Sequence, residues 1–128
     1  MTKTGEKILD VVIGDDFRIQ RTYTSLPAGL TITKAWLTIK TSEKTLDASA
    51  LIQKSITAAI TSAGSITDAD TTGGSIAMYF DLTRTETATA QRNLPYVYDV
   101  QVKVSDGSIH TMEKGQIIFI LGVTDAAS

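Results

Sequence analysis

Few residues in this chain have both the type and the spacing that chemistry needs. The only histidine, His110, stands between Ile109 and Thr111. A catalytic base needs a nucleophile and an orienting carboxylate beside it, and no Gly-x-Ser-x-Gly elbow occurs, so His110 reads as a surface or interface residue. Asp68-Ala69-Asp70, in the run SITDADTTGG, offers hard oxygen ligands of the kind calcium takes. It lacks the spacing and closing glutamate of an EF-hand loop, and a solvated turn is the expected role. Asp15-Asp16 and Asp99 are carboxylates that a glycosidase would use as acid and base, but the chain has only eight aromatic residues with which to line a sugar cleft. Gly73-Gly74 has no lysine or helix start after it and reads as a hairpin connection, not a phosphate loop.

What is missing narrows the field further. With no cysteine and one histidine, the chain lacks the ligands of zinc ribbons and iron–sulfur clusters, and no disulfide framework is possible. Twelve Lys and Arg against fourteen Asp and Glu give a net charge of −2, which disfavours nucleic-acid binding, because that affinity rests on a basic surface. The expectation is a non-enzymatic protein with no cofactor and no metal, and with neither nucleic acid nor membrane among its partners. Its apolar runs, Ile8 to Ile13 and Ile117 to Val123, are too short to span a bilayer.

The elements that would carry any surface are strands. Twenty of the 128 residues are threonine, whose β-branched side chain suits a pleated, half-buried surface. Tyr96, Tyr98, Val100, Val102 and Val104 fall on one face of the most regular alternation in the chain. Ile76, Met78, Phe80 and Leu82 form a second such face, and Phe17, Ile19, Arg21 and Tyr23 a third, after a turn at Gly14-Asp15-Asp16. In TITKAWLTIK, Ala35, Leu37 and Ile39 oppose Trp36, and either face is suited to point inward. Shorter strands are predicted within 50–60 and 108–112, the latter after Ser105-Asp106-Gly107-Ser108, where Asp-Gly signals a type I′ hairpin. A last strand, Gly115 to Val123, is apolar on both faces and should lie inside its sheet.

Two stretches suit short helical turns: Asp47 to Lys54, with Asp47 as N-cap, and Thr83 to Ala90, with Glu86 at capping-box spacing from Thr83. One of Tyr96 and Tyr98, beside Pro95, is placed to bond back to the backbone at a sandwich corner. About seven short strands with turns between them predict an all-β protein, an immunoglobulin-like β-sandwich with one or two helical turns. The boundaries expected are a flexible arm over 1–7, the sandwich over 8–124 and a tail over 125–128.

The order of segments carries a resemblance. GDDFRI is followed by AWLTIKTS, DASALIQKSIT, SIAMYFDLTRTETA and YVYDVQVKVSDGSIHTMEKGQIIFILGVT, from about Ile13 to Thr124. This resembles small tailed-phage virion domains with an immunoglobulin-like sandwich, such as the N-terminal domain of upper baseplate proteins. The resemblance implies a structural subunit of a tailed bacteriophage virion, assembled in the host bacterial cytoplasm. Such a subunit docks to tail, baseplate or neck proteins in a symmetric homo- or hetero-oligomeric assembly. Capsid decoration and a carbohydrate- or receptor-binding module are the alternatives. An apolar patch and exposed strand edges would make the contact, with Trp36, Tyr79, Gln116, Ile118 and Ile120 as the expected interface residues, together with the arm Met1 to Lys7.

Overall fold

The computed structural model describes residues 2–24, 29–69 and 75–122. Among these described residues eight strands run β1 (Lys3–Val12), β2 (Phe17–Thr24), β3 (Ile32–Lys40), β4 (Ile52–Ile56), β5 (Gly64–Asp68), β6 (Ser75–Leu82), β7 (Pro95–Val104) and β8 (Ile109–Ile120). A 3₁₀ turn, η1 (Asp47–Ser49), precedes β4, and a short helix, α1 (Arg84–Thr87), joins β6 to β7. The strands form two sheets, one ordered β1-β8-β7-β3-β4 and the other β2-β6-β5. All pairings are antiparallel except that of β1 with β8.

The alternating faces read from the sequence point where they should. Tyr96, Tyr98, Val100, Val102 and Val104 are buried along β7, and Ile76, Met78, Phe80 and Leu82 along β6. Their burial between the sheets, with Ala35, Leu37 and Ile39 of β3, makes one continuous core. The face of β3 that the sequence leaves open is thereby decided: Trp36 points outward, with Lys34 Nζ 5.3 Å from its ring centre.

Several expectations are corrected. The arm expected over 1–7 is largely a strand, since Lys3, Glu6 and Lys7 pair with Glu113, Gly115 and Gln116 of β8. That strand is irregular, with register shifts on both sides of Glu6-Lys7-Ile8, so its alternation is too broken to read from sequence. The separate strands expected within 108–112 and from Gly115 are one strand, β8, interrupted by a register shift opposite Val100/Gln101 that lets Met112 and Glu113 both point inward. The loop before it is not type I′, because Gly107 alone has a positive φ there. Gly107 N–H donates to the Val104 carbonyl at 2.9 Å and Val104 N–H to that of Ser108 at 3.0 Å, which gives a three-residue loop with glycine in the left-handed position. The segment 50–60 gives only the five residues of β4, and β5 is an additional strand.

Both helical turns are present where expected, although the one near Asp47 is a single 3₁₀ turn. At α1 the capping box is complete: Glu86 N–H donates to Thr83 Oγ1 at 3.2 Å and Thr83 N–H to Glu86 Oε1 at 2.9 Å. Gly73-Gly74, Asp70 and the tail 125–128 lie outside the described residues.

Candidate functional site

The densest polar arrangement lies between the sheets. Glu113, 1% exposed, points inward from β8 because of the register shift beside it. Arg21 Nε donates to its Oε1 at 2.8 Å and the Tyr23 hydroxyl donates to the same oxygen at 2.9 Å, both from β2 in the opposite sheet. The Tyr98 hydroxyl of β7 donates to Oε2. Both oxygens of the carboxylate thus accept hydrogen bonds. Burial pushes the Glu113 carboxyl up, but the bonds from Arg21, Tyr98 and Tyr23 outweigh it and hold the group below its usual range. Burial and the neighbouring carboxylate push the Tyr23 and Tyr98 hydroxyls well above theirs. An acid held ionised by a guanidinium and two phenols that stay protonated is a clasp between sheets, with no group poised to exchange a proton near neutrality. Sequence periodicity placed Arg21 on the apolar face of its strand, and that inward charge was the signal for a buried partner.

His110 has company of a kind. Its Nε2 lies 3.1 Å from Ser108 Oγ, and Ser108 Oγ lies 2.6 Å from Asp106 Oδ1. The three residue types are those of a hydrolytic triad, but the carboxylate holds the serine instead of the imidazole, whereas the triad needs the imidazole between them. Asp106 also accepts the Ser108 N–H at 2.9 Å, so it fastens the β7–β8 loop. Hydrogen bonds from Ser108 hold the Asp106 carboxyl below its usual range. Asp16, considered as a catalytic acid, instead accepts the Arg84 N–H at the start of α1 at 2.8 Å, and Asp99 lies on the outer face of β7 opposite Thr38 and Lys114.

The expected interface residues fall in three places. Tyr79 lies on the outer face of the three-stranded sheet, under the Arg18 guanidinium at 4.0 Å from its ring centre; Arg18 also pairs with Asp81 at 2.8 Å. Trp36 is on the outer face of the other sheet, paired across β7 with Gln101, so the two rings belong to opposite surfaces. Gln116, Ile118 and Ile120 share Trp36's sheet face but at its far end. There Ile118 pairs with Pro95, and Ile120 with Val12. The edge of β8 is not available for strand addition, since β1 and β7 occupy both its sides.

That far end gathers apolar surface that the spacing alone did not reveal. Ile118, Ile120 and Val12 are half-buried, Pro95 is exposed, and Leu94 and Leu121 are 38% and 55% exposed. The loop before β7 brings Leu94 there, because Asn93 N–H donates to the Phe119 carbonyl at 2.8 Å. Such a cluster is larger than the single exposed apolar residues found on any protein surface.

The corner expected near Pro95 belongs to Tyr96. Its hydroxyl accepts the Gln91 N–H at 2.9 Å, five residues upstream, and its ring meets Phe119 edge-on at 5.7 Å.

No protein-family model matches the chain, and no curated protein matches it. Among solved structures it is similar to the NK cell receptor Nkp44, described as a triggering partner in natural cytotoxicity. The match has a TM-score of 0.50 and 15% identity, covering 90% of this chain and 97% of that one. The likeness concerns the fold: the chain is an all-β, immunoglobulin-like β-sandwich. In antibody domains of this architecture the residue two after the corner tyrosine is a cysteine bridged to the opposite sheet. Here that residue is Tyr98, and its bond to Glu113 joins it to Arg21 and Tyr23 of the opposite sheet. The buried tryptophan of such domains has no counterpart in Trp36, which faces out.

Proposed function

We propose that this chain is a non-enzymatic structural subunit of a tailed-phage virion, docked to other virion proteins through the apolar end of its five-stranded sheet. The observation that carries the docking role is the cluster of Val12, Leu94, Pro95, Ile118, Ile120 and Leu121 on that end. An apolar cluster on a domain whose interior is already filled gains by being covered, at roughly 25 cal/mol per Å² of apolar surface removed from water. The virion as its setting rests on the resemblance of the strand segments to phage baseplate domains. The carbohydrate-binding alternative has less support, since Trp36 and Tyr79 lie on opposite surfaces and each already carries a cation over its ring.

The test is to purify the phage particles whose genome encodes the chain and to label them with gold-tagged antibody. Labelling of tail, baseplate or neck at symmetric positions is the expected result, and Ile118→Glu should remove it while the purified variant keeps its melting temperature. Labelling of the head would replace tail docking with capsid decoration. Absence of the chain from particles would overturn the virion reading altogether.

A further inference from the structure

We propose that the parallel pairing of β1 with β8 makes this domain a tension-bearing link. Load that enters the chain ahead of β1 and leaves it after β8 is carried as shear between those two strands. Parallel pairing places Lys3 beside Glu113 at one end and Val12 beside Ile120 at the other. A pull on β1 from its Lys3 end and on β8 from its Ile120 end therefore runs along both strands in opposite directions. Hydrogen bonds loaded in this way share the force and must fail together, whereas bonds loaded from one end fail in turn. Among the described residues β1 has β8 as its one neighbour in the sheet, so the whole load on β1 passes to β8. The three-stranded sheet lies off that path.

The irregularity of β1 strengthens the link against sliding. Thr4 and Gly5 stand opposite Lys114 alone, and Leu9 and Asp10 opposite Ile118 alone, so each pair is a β-bulge. Gly5, at a φ of +72°, supplies the left-handed backbone in the first of them. The second returns Val11 to the inward face on which Ile8 lies, and both are buried beside their partners Phe119 and Ile117. A slip of one residue would turn both side chains out of the core, so shear must extract them as well as break backbone bonds. Further bonds secure both ends of the pair. Thr2 Oγ1 donates to the Thr111 carbonyl at 2.5 Å, and Ile13 N–H donates to that of Ile120 at 2.8 Å. Gly115 permits the close approach between them, because a Cβ there would run into the Glu6 carbonyl oxygen. This hold lies within one sheet, and the gap between β1 and β2 of the other sheet is no part of it.

This role goes beyond the docking reading and does not depend on it, because the test uses the purified chain alone. The chain has no cysteine, so paired cysteine substitutions give unique handles for single-molecule pulling. Thr4→Cys with Leu121→Cys loads β1 and β8 in shear. Asp15→Cys with Leu121→Cys holds both strands by their Val12–Ile120 end and peels them apart. At one pulling speed the shear pair should rupture at about twice the force of the peeling pair or more. With the shear handles, Gly115→Ala and the milder Val11→Ala should each lower that force. Ser65→Ala, on β5 of the other sheet, should leave it unchanged. Equal rupture forces in the two geometries overturn the proposal, as does a shear force that Val11→Ala leaves unchanged. A loss with Ser65→Ala as large as that with Val11→Ala also overturns it, since overall stability and not the β1–β8 pair would then set the strength.

Discussion

On one lateral side of the sandwich the backbone itself crosses between the sheets: Ile66 N–H of β5 donates to the Thr57 carbonyl just after β4, and Ile32 N–H of β3 to the Ala69 carbonyl just after β5, both at 2.8 Å. Ser65 Oγ adds a bond to the Ala58 carbonyl at 3.2 Å. On the other side β1 and β2 face each other over a cleft. Apart from the turn bond of Asp15 N–H to the Val12 carbonyl, no backbone hydrogen bond joins them among the described residues. That side is held by side chains, through the Glu113 clasp from β2 to β7 and β8. Thr87 reinforces it by accepting the Gly14 N–H at 3.0 Å and donating to the Asp15 carbonyl at 2.8 Å. Backbone stitching survives most substitutions because every residue carries the groups. A side-chain clasp depends on a few named residues, which makes the β1/β2 side the one that opens.

The largest effect should come from the hub of that clasp. Glu113→Ala leaves Arg21 without its buried partner and should cost about 3–5 kcal/mol, read by urea unfolding. Hydrogen exchange in the variant should rise in β1 and β2 before β4 and β5, and uniform acceleration would erase the contrast between the two sides.

The same hub gives stability a pH dependence. Because the native Glu113 carboxyl sits below its unfolded value, its contribution is present above about pH 4.3 and is lost as the pH falls below that. The Tyr23 and Tyr98 hydroxyls are raised, so stability also falls as pH climbs past about 10, where the unfolded chain ionises first. Denaturant midpoints across the pH range check this. Replacing both tyrosines by phenylalanine should flatten most of the alkaline limb, and an unchanged limb would show that other groups cause it.

Thr87→Val is a smaller break on the same side. It removes the bonds that fasten the β1–β2 turn to α1 and should cost about 1–3 kcal/mol, read as a lower urea midpoint. Ser65→Ala sharpens the comparison from the stitched side. It removes one side-chain bond but keeps the Ile66–Thr57 backbone bond, so a loss of about 0.5–1.5 kcal/mol with unchanged exchange in β4 and β5 is expected.

Much of the fold was legible because burial on one side of a strand writes itself into every second residue. The inward rows of β2, β6 and β7, the capping box at Thr83 and the corner tyrosine all follow from short-range spacing. The strand β1 was not legible, since its register shifts and exposed charged residues erase the alternation. Nor was the apolar end of the large sheet, whose members come from residues near 12, 94 and 120. Ile118 and Ile120 were visible as apolar residues; their neighbours Leu94 and Val12 arrive only through strand pairing and the Asn93–Phe119 bond.

The sequence by itself determined that this is a cysteine-free, threonine-rich β-protein, because composition and period-two patterning are properties of neighbouring residues. Tertiary structure alone decided that Trp36 faces out and that Glu113 clasps Arg21. It also made the two sheets unequal, five strands against three. Those outcomes depend on which strands become neighbours and in what register, and pairing across some ninety residues leaves no local mark in the chain.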